Sequence, residues 1–263
     1  MRLLVTGGAG YLGSELCAQA VARGFDVLAT QFRAPVPHGR AVRLDIRDPD
    51  AAHRVFLRHG PDVVVHTAYV QEDTPTIVQG SAVVAEAAHR CGARLVHLST
   101  DLVFDGEHGA PYAETADPRP VSAYGAAKLE AEYAVARAHP EALLVRTSLL
   151  YGKPGPQEAL ALADGVELFT DEIRCPTLVS ELAAALLELA ELDVSGLLHV
   201  AAAEPVSPYD LGRLLRARQG GDPDEIRGAP APKGRARNVA LDSSRAAGLL
   251  ETRLRGAGEA LGG

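Results

Sequence analysis

The first 150 residues alternate short apolar runs with longer segments in which apolar residues recur every three or four positions. Runs without polar alternation predict strands at Met1–Val5, Asp26–Ala29, Val63–Val65, Arg94–Leu98 and Ala142–Arg146. Helical spacing predicts helices between them, at Ser14–Arg23, Asp48–Arg58, Ile77–Arg90 and Ala123–Ala138. Strands that are apolar on both faces and alternate with helices indicate a parallel sheet with helices on each side. The expected fold class is α/β with a doubly wound parallel sheet.

The pattern changes after Ser148, where glycine and proline become frequent. An apolar helix at Glu181–Ala190 and a strand at Gly196–Val200 predict that the chain then returns to the sheet. We therefore expect a sheet domain over residues 1–150, rejoined by the segment at about 178–202. Residues 151–177 and 203–263 are expected to form a small C-terminal lobe.

Composition excludes several classes of protein. The 26 basic and 34 acidic residues give a net charge of −8, which does not favour nucleic acid or an anionic membrane as a partner. No apolar run reaches the length of a membrane span, and no signal peptide begins the chain, so a cytoplasmic protein is expected. The three cysteines are widely spaced, and no acidic cluster has metal-ligand spacing, so neither disulfides nor a metal are predicted. The sequence does not fix the oligomeric state, although a homodimer is the common symmetric assembly.

A glycine-rich segment follows the first predicted strand and opens the first helix. Gly7, Gly10 and Gly13 flank Tyr11 and Leu12, in the context that gives this spacing its meaning. Such glycines permit a tight turn, a close approach of backbone to pyrophosphate, and close packing of helix on sheet. The anion then lies at the positive end of the helix. A Rossmann-type dinucleotide-binding domain is therefore predicted over residues 1–150.

The end of the second strand predicts which dinucleotide binds. No acid stands there to bind a ribose hydroxyl, whereas Arg33 could face a 2′-phosphate, so NADPH is expected, with NADH the alternative if Arg33 is a solvated loop cation. Asp45 or the backbone beside it, at Ile46, is expected to bind adenine. The residues that end the third predicted strand should run beside the cofactor; these are Thr67, Ala68 and Tyr69.

A phenol and an ammonium share one face of the helix at Ala123–Ala138. Tyr124 and Lys128 are four residues apart, and a nearby lysine charge favours the phenolate, which makes the phenol a better proton donor and acceptor near neutral pH. Thr100 and Asp101 follow the strand upstream. Asp101 either orients the loop after Thr100 or contacts substrate, since loops at strand ends host both roles. His97 and His199 lie in apolar strands and are expected to be satisfied core residues, and His66 to line the cofactor.

Three sequence blocks with this joint spacing resemble the extended short-chain dehydrogenase/reductases, and more narrowly the dTDP-4-dehydrorhamnose reductase group. The blocks are Ser99–Gly106, Tyr124-Gly125-x-x-Lys128 and Arg146–Gly152, and Pro176-Thr177 and Arg237–Asp242 also match. The chain departs from the group in the shorter segment between Tyr151 and Pro176, in Leu149, where an aromatic is common, and in Ile77, where Asn is usual.

The resemblance implies reduction of a 4-keto sugar attached to a nucleoside diphosphate. It implies that Thr100 bonds the substrate carbonyl, that Tyr124 protonates its oxygen, and that Lys128 holds the nicotinamide ribose. The lobe is then the substrate-binding region. Cations that could meet the diphosphate are Arg174, Lys233, Arg235 and Arg237. Two alternatives stay open: a nucleotide-sugar epimerase or dehydratase with bound NAD, and a non-catalytic nucleotide-binding subunit that regulates a partner.

Overall fold

Eleven strands run through the part of the chain that the structure describes. The structure is a computed structural model that describes residues 1–109, 111–163 and 165–262. The strands are β1 (Arg2–Thr6), β2 (Asp26–Gln31), β3 (Arg40–Arg43), β4 (Val63–His66), β5 (Arg94–Thr100), β6 (Leu143–Thr147), β7 (Leu150–Tyr151), β8 (Glu167–Phe169), β9 (Thr177–Leu178), β10 (Gly196–His199) and β11 (Arg227–Ala229).

The described residues also form nine α-helices. They are α1 (Tyr11–Ala22), α2 (Pro49–His59), α3 (Thr74–Arg90), α4 (Ala123–Ala138), α5 (Pro156–Leu162), α6 (Val179–Glu191), α7 (Pro208–Arg218), α8 (Ser244–Ala247) and α9 (Ala257–Leu261). A short 3₁₀ turn at Asp101–Val103 follows β5 directly. None of the described helices is both long and apolar enough to cross a membrane.

Seven strands form one sheet in the order β10-β6-β5-β4-β1-β2-β3. The pairs β1–β2, β1–β4, β2–β3 and β4–β5 are all parallel, and the order reverses direction at β1. β4 is buried at every position, as a strand covered on both faces requires. The doubly wound α/β fold class is therefore confirmed, and β10 rejoins the sheet as the sequence predicts.

One strand of the large sheet was not predicted, and two helices begin three residues earlier than predicted. β3 is an additional strand, which the sequence pattern missed because its residues Arg40–Arg43 are largely exposed at the edge of the sheet. α1 begins at Tyr11 rather than Ser14, so Gly13 lies inside the helix. α3 begins at Thr74 rather than at Ile77, because the Asp73 side chain accepts a hydrogen bond from the Thr76 amide and caps the first turn.

The described chain divides into two compact units. The first comprises Met1–Ser99, Ala126–Val145 and Ala183–Leu198, and the second Thr100–Gly125, Arg146–Leu182 and the chain from His199 onward. The first unit packs its sheet around buried side chains such as Leu4, Phe56 and Val64. The second contains a smaller apolar cluster that includes Tyr151, Leu211, Leu215 and Ala257. This division assigns residues 100–125 to the second unit, whereas the sequence predicts them in the first domain.

Candidate active site

The glycine segment forms a tight turn between β1 and α1. The Gly10 amide donates to the Gly7 carbonyl at 2.8 Å, and Gly10 is the N-cap of α1. Gly7 has φ +72, a left-handed conformation that favours glycine. Tyr11 and the buried Leu12 begin the helix, so the N-terminus of α1 follows Gly10 directly. The turn has the form of a phosphate-binding loop.

Gly13 is required where α1 crosses the end of the sheet. A Cβ on Gly13 would lie 2.2 Å from the Gly7 carbonyl oxygen and 3.0 Å from Thr67 Oγ1, and one on Gly7 would lie 2.8 Å from Ala68 Cα. A Cβ on Gly10 would meet only the Gly7 oxygen, at 3.1 Å. Gly13 is therefore enclosed, whereas the surface over Gly10 is open for a ligand. The loop fits the pyrophosphate of a dinucleotide.

A buried chain of hydrogen bonds lies beside the glycine loop between β1 and α1. The sequence pattern does not predict it. The Ser81 hydroxyl donates its one proton to the Ile77 carbonyl, so it must accept from His66 Nε2, which lies 3.1 Å away. His66 Nδ1 is then the acceptor of the ring, and the Thr6 hydroxyl donates to it at 2.6 Å. Thr6 in turn accepts the Ala68 amide at 3.3 Å. Burial lowers the His66 pKa to about 3, so the ring is neutral. His66 therefore ties β1, β4 and α3 together, and its expected place beside the cofactor stays a prediction.

The predicted adenosine end is lined by charged side chains. The Asp45 carboxylate accepts from Arg47 Nε at 3.0 Å and from another Arg47 nitrogen at 2.8 Å, a contact that lowers the pKa of Asp45. Arg47 also lies 3.7 Å from Asp73 and 6.0 Å from the Phe32 ring centroid. Arg33 is exposed, and its charge further lowers the pKa of Asp45 and Asp73. Ile46 buries its side chain against Gly80, and binding of adenine by the backbone at Ile46 stays a prediction.

Helix α4 begins with a close approach to the turn that follows Thr100. The Gly125 amide donates to Ser122 Oγ at 3.0 Å, which caps the first turn. A Cβ on Gly125 would lie 2.1 Å from the Leu102 carbonyl oxygen, so only glycine permits this contact. The segment that carries Thr100 and the turn that carries Tyr124 are thereby packed backbone against backbone. Tyr124 is half-buried and Thr100 is buried.

Lys128 is a buried cation one helical turn after Tyr124. Its Nζ donates to the Leu98 carbonyl of β5 and lies 5.8 Å from the centroid of the Tyr69 ring. Burial lowers the Lys128 pKa to about 8, and the charge of Glu132 opposes that effect. Lys128 and Tyr69, both predicted to bind cofactor, are therefore brought together.

Glu132 lies one turn further along α4 and was not singled out from the sequence. It is 4% exposed and accepts a hydrogen bond from Ser99 Oγ. Leu98 and Ser99 are consecutive in β5, so the strand contacts two successive turns of α4 through Lys128 and Glu132. The only sequence signal was the i, i+4 spacing of an acid after the lysine.

The expectation of satisfied core histidines was wrong for His97. Its ring is buried, but neither ring nitrogen has a hydrogen-bond partner among the described residues. It lies 5.2 Å from the His66 ring, and burial together with the Lys128 charge holds its pKa well below the ordinary value. His199 is buried, with Nδ1 3.0 Å from the Tyr112 carbonyl and Nε2 without a described partner.

Two predicted substrate contacts, Asp101 and Arg174, bind each other. The Arg174 guanidinium donates to both Asp101 carboxylate oxygens, with Nε at 2.6 Å from Oδ2. Ser148 Oγ donates to Asp101 at 2.5 Å, and Thr100 Oγ1 at 3.1 Å. Two of the other three predicted cations are also paired, Arg235 with Glu172 and Arg237 with Asp171, whereas Lys233 is exposed.

No group of three or more potential metal ligands occurs within residues 1–109, 111–163 and 165–262. The first unit contributes the glycine loop and Lys128, and the second contributes Thr100 and Tyr124. This set is typical of hydride transfer assisted by a proton donor.

Comparison with known proteins agrees with this geometry. A family model described as RmlD substrate binding domain matches residues 1–261. The dTDP-4-dehydrorhamnose reductase of Mycobacterium tuberculosis is 37% identical, over 92% of this chain and 85% of that protein. The dTDP-4-keto-6-deoxy-D-glucose reductase of Streptomyces niveus is 34% identical, over 88% of this chain and 83% of that protein. The crystal structure of a dTDP-4-dehydrorhamnose reductase from Clostridium acetobutylicum has a TM-score of 0.86 at 26% identity and covers 100% of this chain and 98% of that one. The chain therefore belongs to the RmlD substrate binding domain family.

Proposed function

We propose that this protein is an NADPH-dependent reductase of a nucleotide-linked 4-keto sugar, with a dTDP-sugar as substrate. The observation that carries the proposal is the conjunction of the glycine loop, Thr100, and the α4 pair Tyr124 and Lys128 in one chain of this family. The dTDP-sugar reductases among its relatives support the substrate class.

The loop of Gly7, Gly10 and Gly13 would hold NADPH by its pyrophosphate, and the cofactor, when bound, would supply the hydride that the keto carbon accepts. Tyr124 gives its phenolic proton to the oxygen of that carbonyl, so the ketone becomes a secondary alcohol. The Thr100 hydroxyl bonds the same oxygen and orients it. Lys128 binds the nicotinamide ribose and favours the phenolate that Tyr124 becomes, before a proton from solvent restores the phenol.

The preference for NADPH is proposed from one cation, Arg33, which follows the end of β2 by two residues. Arg33 is exposed there, and no carboxylate follows β2 directly to compete for the ribose hydroxyl. Arg33→Ala should weaken NADPH binding about tenfold and leave NADH binding unchanged, because one charge-assisted contact to the 2′-phosphate is lost. Titration calorimetry with both cofactors measures this, with the exposed Arg23→Ala as the control. Equal weakening of both cofactors would contradict the role.

The function is tested by following the absorbance of the reduced nicotinamide. Protein, NADPH or NADH, and a 4-keto dTDP-sugar are mixed, and Tyr124→Phe is expected to lower kcat by about 10²–10⁴-fold. Tyr133→Phe, which is 53% exposed on the same helix, is the matched control and should retain full activity. Redox-neutral conversion of the sugar would instead identify an epimerase or dehydratase. Binding without turnover would identify a non-catalytic subunit.

A further inference from the structure

We propose that Arg174 is a positioning residue that acts through Asp101 on the Thr100 hydroxyl, and that it does not bind the substrate diphosphate. The inference rests on the proposed function, since it concerns the group that orients the keto oxygen. It assigns a different role to a cation that the sequence pattern placed among the diphosphate ligands.

The Asp101 carboxylate has no acceptor position left for a substrate. Asp101 has no exposed surface, and its two oxygens accept four hydrogen bonds. Oδ2 accepts from Arg174 Nε at 2.6 Å and Ser148 Oγ at 2.5 Å, and Oδ1 accepts from the other Arg174 nitrogen and from Thr100 at 3.1 Å. A carboxylate offers about four lone-pair sites, so this one is filled.

The backbone and neighbouring residues hold Arg174 toward Asp101. The Arg174 amide donates to the Val206 carbonyl at 3.0 Å, and the Val206 amide donates back at 2.9 Å. The next residue, Cys175, donates its amide to Ser148 Oγ at 3.1 Å. The Arg174 side chain is only 12% exposed. Its planar fork is therefore committed to one buried carboxylate in a bidentate geometry, which a point charge does not reproduce.

This arrangement controls what the Thr100 hydroxyl can do. Thr100 has one proton, which it donates to Asp101, and its oxygen accepts the Leu102 amide at 3.2 Å. To bond the keto oxygen, that proton must leave Asp101. Its bond to Asp101, at 3.1 Å, is the longest of the four, whereas Ser148 Oγ and Arg174 Nε lie 2.5 Å and 2.6 Å from the same carboxylate. Without Arg174, a buried and uncompensated carboxylate would retain the Thr100 proton, and the substrate would lose its donor.

The experiment compares Arg174→Met, Asp101→Asn and the double variant with the wild type. For Arg174→Met we expect kcat to fall at least about tenfold, while KM for the keto sugar and Kd for dTDP stay within about twofold. The double variant should recover most of the lost kcat, because no unpaired charge remains. Arg253→Met breaks an exposed pair with Glu259 and is the control for loss of an arginine; its kcat should not change.

Two results would overturn the inference. A weaker affinity of Arg174→Met for dTDP, by about tenfold with kcat unchanged, would make Arg174 a diphosphate ligand. A double variant no more active than Arg174→Met would show that the two residues do not act together. Should Arg174→Met not fold, Arg174→Lys replaces it: an intermediate kcat with unchanged dTDP affinity supports the inference, and weaker dTDP binding contradicts it. Turnover of the 4-keto sugar by the wild type separates the proposed function from the proposed role of Arg174. If the wild type does not turn over the sugar, both are overturned. If it does, and the variants give either contrary result above, only the role of Arg174 is overturned.

Discussion

Lys128 carries its charge in the interior, next to a second buried ionisable side chain on the same helix. Burial lowers its pKa to about 8 and Glu132 acts in the opposite direction, so the ammonium is present at neutral pH and is lost as the pH rises through about 8. His66 and His97 are already uncharged there, because burial lowers both of their pKa values. The decline of kcat/KM at alkaline pH, the alkaline limb of the pH profile, should therefore follow the deprotonation of Lys128.

Glu132→Gln is expected to move that limb to lower pH. Without the carboxylate, the Lys128 pKa falls further, and kcat/KM should begin to decline about one pH unit earlier than in the wild type. A pH profile of kcat/KM measures this, and Glu130→Gln, on the exposed face of α4, is the control. An unchanged limb would mean that Glu132 does not support the lysine charge.

At the scale of elements, two glycines in the segment between β1 and the first turns of α1 are needed for different reasons. Gly13 is enclosed by backbone, whereas Gly10 is open on the side where a ligand would lie. Glycine at position 13 is needed for the packing of α1 on the loop, whereas glycine at position 10 is needed for the approach of a ligand. The same glycine spacing in the sequence serves both purposes.

The two glycines should consequently respond differently to alanine. Gly13→Ala should lower the free energy of unfolding by about 1–3 kcal/mol, because its Cβ would overlap the Gly7 carbonyl. Gly10→Ala should cost less than about 1 kcal/mol but weaken NADPH binding about tenfold. Denaturant unfolding and calorimetry separate the effects, and the reverse pattern would refute the assignment.

At the scale of the whole molecule, ligand binding should appear as stability. The chain carries a net charge of −8, so an anionic dinucleotide must be held by local groups and not by the overall field. NADPH at one hundred times its Kd should raise the free energy of unfolding by about 2.7 kcal/mol, which corresponds to about 5 °C in Tm for a chain of this size. Thermal melting tests this against the same concentration of inorganic phosphate. No shift would contradict the proposed cofactor.

Local pattern made the larger part of the fold predictable. Apolar runs and helical spacing identify the main strands and helices, since a strand buried on both faces is a continuous apolar run and a helix buried on one face repeats apolar residues every three or four positions. No apolar run marks β3, because its residues are largely exposed. The pattern is ambiguous at the start of α1, where glycine and tyrosine are compatible with loop or helix. The family resemblance, now confirmed, came from blocks whose joint spacing is specific.

The sequence by itself determined the residue types of the site, because Tyr124 and Lys128 need only a helix to share a face, and the glycine loop needs only its neighbours along the chain. Tertiary structure alone decided which charges are available. Asp101 and Arg174 are 73 positions apart, and Ser99 and Glu132 are 33 apart. No periodic pattern links such pairs, since their contact depends on how strands and loops pack, and that packing pairs Arg174 with the buried carboxylate of Asp101.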